Sequence, residues 1–257
     1  MARANRHFIA GQVWHITQRC HQKQFLLRFQ VDRRRWLYWL YQARRRYGLS
    51  VLNYIVTSNH IHLLVHDHGN DAISSAMQLI SGRTAQEFNK RHSRTGAFWE
   101  DRYHATAVQT NEHLARCLVY IDLNMVRAGE VSHPEEWSCS GYHEAKNPRR
   151  RGARLDTERL YKVLGFYSIE DFIEAREIWI NKKLCKGQLR RESFWTDSVA
   201  VGNLEYALKM KRALGFKNPG RRATWEGECY AVREVADSYN APTQYNWRLL
   251  HPLNTLF

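Results

Sequence analysis

Two histidines one residue apart, His60 and His62, lie in the middle of the stretch NYIVTSNHIHLLVH, Asn53 to His66. Around them Ile61, Leu63 and Val65 alternate with His60, His62 and Leu64, the period-two pattern of a half-buried strand. Side chains on a strand alternate between faces, so the two imidazoles share one face about 6 to 7 Å apart along the chain and can grip one metal ion. With 13 histidines in 257 residues such a pair arises easily by chance, and structural histidines explain it equally well when it stands alone. A second pair, His66 and His68, stands among Asp67, Gly69, Asn70 and Asp71, which mark a solvated strand end.

The balance tips some sixty residues on. The segment from Thr110 or Asn111 to Ala128, closed by Gly129, reads as a capped helix whose apolar stripe is Leu114, Cys117, Leu118, Ile121 and Met125. Another face carries His113, Arg116, Tyr120, Asn124 and Arg127. Residues four apart lie one turn above each other, so the Tyr120 hydroxyl is presented beside the Asn124 amide with cations before and after it. A tyrosine packed at a sheet edge is the plainer reading of Tyr120 taken singly; the histidine pair and Asn124 reverse that preference.

The chemistry such a set allows is phosphoryl transfer. If His60 and His62 bind a divalent cation and Asn124 adds an oxygen ligand, imidazole and carbonyl together suit Mg²⁺ or Mn²⁺ with open positions for a phosphate. Tyr120 then attacks phosphorus in line and expels a 3′-hydroxyl, leaving a phosphotyrosine linkage that conserves the bond for rejoining. A free phenol has a pKa of about 10, so the nucleophile needs positive charge or a base nearby.

Composition agrees with an anionic partner. Lys and Arg number 39 against 25 Asp and Glu, a net charge of +14. A hydrophobic fraction of 44% with nine Trp excludes a disordered basic tail. The five cysteines are scattered with no C-x-x-C pair, which argues against a disulfide framework and a thiolate zinc site. The N-terminus lacks an apolar signal region and no window reaches a membrane span, so a cytoplasmic protein with no membrane partner is expected. Monomer and homodimer stay equally open.

The elements that must position the site follow from local pattern. Val13 to Thr17 alternates as a first strand, and Asp32 to Tyr47 reads as a helix stopped by Gly48. Val51 to Val56 and the histidine strand form a hairpin through Thr57, Ser58 and Asn59; a helix from Asp71 to His92 and a fourth strand in Ala97 to Val108, which alternates in its second half, complete the set. Strand, helix, strand, strand, helix, strand is the split β-α-β order, so the expected class is α+β: a ferredoxin-like, RRM-like, four-stranded antiparallel sheet with helices on one face, plus the tyrosine helix. Trp99, Arg102 and Tyr103 interleave aromatic and basic groups as a single-stranded nucleic acid requires, although core aromatics with an incidental Arg fit equally. Arg83, Arg116 and Arg127 join Arg102 and Tyr103 as expected nucleic-acid contacts.

From Asn147 the run NPRRRGAR reads as a boundary between domains of residues 1–146 and 147–257. The second part is expected to be mainly helical, with Ser168 capping a helix through Leu184 and Asn203 capping another through Leu214 before Gly215; its role is DNA binding or regulation. SFWTDSVAVG and AVREVADSYNA carry no role readable from sequence.

The runs VWHITQR, NHIHLLV, RTGAFWEDRYHA and YIDLNMVRAG, in this order, resemble the REP-associated tyrosine transposases, single-tyrosine HUH transposases of the insertion-sequence type, over about residues 2 to 145. The resemblance implies a nuclease that cuts and rejoins single-stranded DNA near hairpins such as REP-like palindromes, with His60 and His62 as the HUH pair, Tyr120 as nucleophile and Asn124 as third ligand. Met125 stands where the family usually has Pro, and Cys20 where it has Asn. The expected function is therefore a metal-dependent single-strand DNA endonuclease and strand transferase. Its rivals are a nucleic-acid binding module without chemistry on the same fold, and a relaxase- or initiator-type nickase.

Overall fold

The structure, a computed structural model, describes residues 8–148, 151–187, 189–214 and 222–233. Gly215, the two arginines inside NPRRRGAR at 149–150, the first seven residues and the AVREVADSYNA tail beyond 233 lie outside the described residues.

Strands β1 (Val13–Arg19), β2 (Ser50–Val56), β3 (His60–His66) and β4 (His104–Val108) run in the order β2-β3-β1-β4, every neighbouring pair antiparallel. The expectation of a sheet of four is corrected here, because β5 (Ser198–Gly202), β7 (Tyr230–Arg233) and β6 (Ala223–Trp225) continue it to seven. The join is a parallel pairing of Ala107 with Ala200 and Val108 with Val201. After the short helix α5 (Gly141–Lys146), the residues beyond 147, expected to be mainly helical, thus add three strands to the same sheet as well as helices α6 (Thr157–Val163), α7 (Ile169–Cys185), α8 (Phe194–Asp197) and α9 (Leu204–Ala213).

Strand alternation sorts the core into two layers. Trp14, Ile16, Ile61, Leu63 and Val65 pack with helices α1 (Gln30–Tyr47) and α2 (Ala72–Arg91), whose Trp36, Leu37, Leu40, Ile73, Met77 and Ile80 recur at helical spacing. Val13, Leu64 and Val108 point the other way and pack with Leu114, Leu118 and Ile121 of α3 (Glu112–Asp122) and with Leu160, Phe172 and Trp195 from the second half. Helices therefore cover both faces, not one. The apolar face left by a four-stranded sheet must be buried, and here the C-terminal half buries it.

Local signals hold where they rest on caps. Gly48 ends α1 at φ 65°, the left-handed conformation a glycine adopts at no steric cost, and its N–H meets the Arg44 carbonyl at 3.0 Å. Ser168 and Asn203 accept from the Asp171 and Tyr206 amides at the starts of α7 and α9. Two expectations for the tyrosine helix fail: Asn111 makes no side-chain cap, and the helix is interrupted at Leu123, whose ψ of 7° opens one turn before α4 (Asn124–Arg127). Among the described residues no helix is long and apolar enough to cross a membrane.

Candidate active site

Register brings the site residues onto one face. Thr17 of β1 lies opposite His62 and Arg19 opposite His60, so His15, Thr17 and Arg19 share the face of the two histidines. Beside it α3 presents Tyr120, and α4, after the break, presents Asn124 and Arg127. A cleft of about 460 Å³ is lined by His60, His62, Tyr120, Asn124, Arg127, Arg19, Arg102 and, from the C-terminal half, Arg191. Glu100, Asp101 and Asp197 line it too.

The separations are short. The His60 and His62 ring centroids are 5.0 Å apart, and the Tyr120 ring is 5.9 Å from that of His62, edge to face. The Asn124 amide nitrogen lies 3.0 Å from His62 Nε2. Arg127 caps the Tyr120 ring with its guanidinium carbon 4.1 Å from the centroid, and its Nη1 donates to the Tyr120 carbonyl at 2.8 Å.

Both imidazoles turn the same nitrogen to the cleft. His60 Nδ1 is 2.6 Å from Asn59 Oδ1 and 3.0 Å from Thr57 Oγ1, so Nδ1 carries the proton and donates, leaving the Nε2 lone pair bare. His62 Nδ1 is 2.8 Å from His15 Nε2 and its own Nε2 faces Asn124. Burial first, then the nearby cations Arg19, Arg191 and Arg127, draws the His60 pKa down to about 4. Burial and the neighbouring imidazoles His15 and His60 hold His62 well below its ordinary value. Both rings are neutral at neutral pH, the state a metal ligand requires.

Tyr120 is only 6% exposed. Burial raises its pKa above 10, while Arg127 and Arg191 pull it back. The phenol is protonated at rest, with the two cations standing ready to favour its ionised form.

Two imidazole lone pairs and one amide fit the donor set of a divalent cation once the Asn124 amide turns its oxygen inward, a flip that leaves the side-chain position unchanged. Among the described residues there is no group of three or more His, Cys, Asp or Glu that could hold a metal.

Of the nucleic-acid contacts expected from sequence, Arg102 and Arg127 line the cleft. Arg83 does not: it stands on α2, on the other face of the sheet, with its guanidinium over the Trp39 ring. Tyr103 packs against Phe8, and Arg116 is held by Glu228 at 2.6 Å, each outside the cleft. His66 and His68 lie at the far end of β3, half-buried and exposed respectively. The residues that sequence reading missed are His15, Arg19, Arg191 and Trp195. For the first two a signal existed, since alternation in VWHITQR puts His15, Thr17 and Arg19 on one face. For Arg191 and Trp195 there was none.

Residues 10–124 match the family model described as Transposase IS200 like. Over this segment the chain is similar to the IS200-like transposases. The segment holds β1 through Asn124 and so contains His60, His62 and Tyr120, whereas Arg127, Arg191 and Trp195 lie beyond it. No curated protein matches the chain. Among solved structures, a REP-associated tyrosine transposase bound to a REP hairpin is similar at 19% identity, covering 66% of this chain and 93% of that one with a TM-score of 0.48. A protein from Deinococcus radiodurans R1 described as a transposase is similar at 14% identity, covering 50% of this chain and 98% of that one with a TM-score of 0.34.

Proposed function

We propose that this chain is an IS200-like transposase, a metal-dependent single-strand DNA endonuclease and strand transferase working on single-stranded or hairpin DNA from a ferredoxin-like half-sheet. The observation that carries the reading is the placement of the Tyr120 ring 5.9 Å from that of His62, in one cleft with His60 and Asn124. A basic lining of Arg19, Arg102, Arg127 and Arg191 supports a phosphodiester as the occupant.

His60, His62 and Asn124 would hold the cation, Mg²⁺ or Mn²⁺, which supplies positive charge to polarise the scissile phosphate. Arg127, stacked on the Tyr120 ring, keeps the phenol in place and stabilises its ionised form. The Tyr120 oxygen forms a bond to phosphorus as the bond from phosphorus to the 3′-oxygen breaks; the phenol loses its proton and the 3′-oxygen gains one. The 5′-phosphotyrosine product keeps the bond energy, so a second 3′-hydroxyl can reverse the step with another strand.

The test is a denaturing gel of the full chain incubated with labelled hairpin oligonucleotides and Mg²⁺ or Mn²⁺. A protein-bound label with the unaltered chain, lost in Tyr120→Phe while DNA affinity persists, is the expected result. Affinity without any covalent adduct, under all metals, would establish a binding module instead.

A further inference from the structure

We propose that His15 is a positioning residue that sets the His62 tautomer for metal binding, and that the backbone carbonyl of Trp195, from the C-terminal half, in turn sets His15. The inference rests on the reading of His62 as a ligand. Its observations are a buried chain of three groups from β1, β3 and α8.

His15 Nδ1 is 2.9 Å from the Trp195 carbonyl oxygen, and His15 Nε2 is 2.8 Å from His62 Nδ1. A carbonyl oxygen can only accept, so the proton on His15 is at Nδ1. His15 is 0% exposed, and in a neutral ring with the proton at Nδ1 the Nε2 is bare and can only accept in turn. His62 must then donate from Nδ1, which strips its Nε2 and points that lone pair at the cleft. With neutral rings, one proton placement satisfies both bonds. The rings lie nearly parallel, 5.0 Å between centroids.

The anchor is itself fixed. The Trp195 side chain is fully buried and its Nε1 donates to Glu192 Oε2 at 2.7 Å, while Thr106 Oγ1, which donates to the Ser198 carbonyl at 2.6 Å, lies 3.1 Å from the Trp195 carbonyl oxygen. The two proposed ligands are therefore oriented by different means. His60 is set by its own turn, through Asn59 and Thr57, whereas His62 is set through His15, whose own anchor lies 180 positions after His15 in the chain. Outer partners of this kind fix ring orientation and basicity, and their loss weakens a metal site by about 10- to 100-fold.

The experiment uses the full chain, ¹⁵N-labelled at histidine and free of metal, with long-range proton–nitrogen correlation spectra to read each tautomer, and calorimetric Mn²⁺ titration to read affinity. Expected for the unaltered protein are His15 and His62 both protonated at Nδ1. In His15→Phe, which removes the acceptor, the His62 proton redistributes toward Nε2 and Mn²⁺ affinity falls 10- to 100-fold. In His15→Gln, whose amide oxygen can again accept, affinity recovers in part. An unaltered protein with His62 protonated at Nε2 overturns the proposal even if no variant folds, and leaves the metal reading standing when Mn²⁺ still binds. His15→Phe with unchanged His62 and unchanged affinity overturns it as well. Absence of Mn²⁺ binding by the unaltered chain overturns the metal reading beneath it.

Discussion

The Asp122 carboxylate of α3 receives both arms of the Arg176 guanidinium from α7, Nη2 at 2.7 Å and Nε at 2.9 Å, with both side chains almost wholly out of water. Asn53 of β2 closes the group, donating to Asp122 Oδ1 at 2.8 Å and accepting from Arg176 Nη2 at 3.3 Å. Asp122 is two residues past Tyr120, so the pair ties the proposed nucleophile's helix to the C-terminal half.

Arg176→Ala leaves the Asp122 charge buried and uncompensated. Breaking one side of such a pair costs about 3–5 kcal/mol, well above what an exposed ion pair gives. The urea unfolding midpoint should drop accordingly with an unchanged m-value; an unchanged midpoint would mean that water reaches Asp122 and that the pair is not sealed.

Truncation after Asn147 removes Arg176, Trp195 and β5 together. It uncovers Leu64, Val108, Leu118 and the edge of β4, all buried in the full chain. The shortened protein should aggregate or melt without a cooperative transition in circular dichroism and size-exclusion runs. A well-folded residue 1–147 fragment would establish an independent first domain.

Arg191 reaches the cleft from the loop before α8 and, with Arg127, counteracts the burial that raises the Tyr120 pKa. Arg191→Ala should push the phenol's ionisation to higher pH in a spectroscopic titration and slow formation of the covalent adduct by about a hundredfold, the order seen when one preorganised charge-stabilising group is lost. An adduct rate equal to the unaltered chain's would remove Arg191 from the chemistry.

Acid should loosen a second buried cluster. Burial works against the Glu144 carboxylate, but its bonds from the Arg154 amide at 2.6 Å, the Tyr54 hydroxyl at 2.7 Å, Arg154 Nη1 at 2.8 Å and the Leu155 amide at 3.1 Å prevail and hold its pKa below the ordinary value. A carboxyl whose folded pKa is depressed adds stability that is present above the unfolded pKa, about 4.3, and is lost as pH falls through the lower folded value. Glu144→Gln should therefore cost about 1–3 kcal/mol at neutral pH, with the gap to the unaltered protein narrowing below about pH 4. A pH-independent gap would assign the loss to packing alone.

Much of this arrangement is legible from short-range pattern. Period two in NHIHLLV places His60 and His62 on one face, the turn Thr57-Ser58-Asn59 sets the hairpin, and Ser168 and Asn203 announce α7 and α9 through their caps. What escapes the sequence has a physical reason in each case. SVAVG is buried at every position, so β5 shows no alternation, and its parallel partner lies some ninety residues earlier. The break at Leu123 involves neither Pro nor Gly. Asn111 has a good capping side chain but sits at φ 64°, from which it makes no cap bond. The bond from His15 to Trp195 joins residues 180 apart and is decided by tertiary packing alone.

The parallel seam between β4 and β5 has a consequence for biogenesis. While the chain is being made, the β4 ladder stays open until residues 198–202 have left the ribosome, a delay of about 5 to 20 seconds at usual synthesis rates. During that interval the nascent protein carries an unpaired strand edge of the kind that recruits other chains. Translation of the second half thus closes an aggregation window as well as finishing the fold.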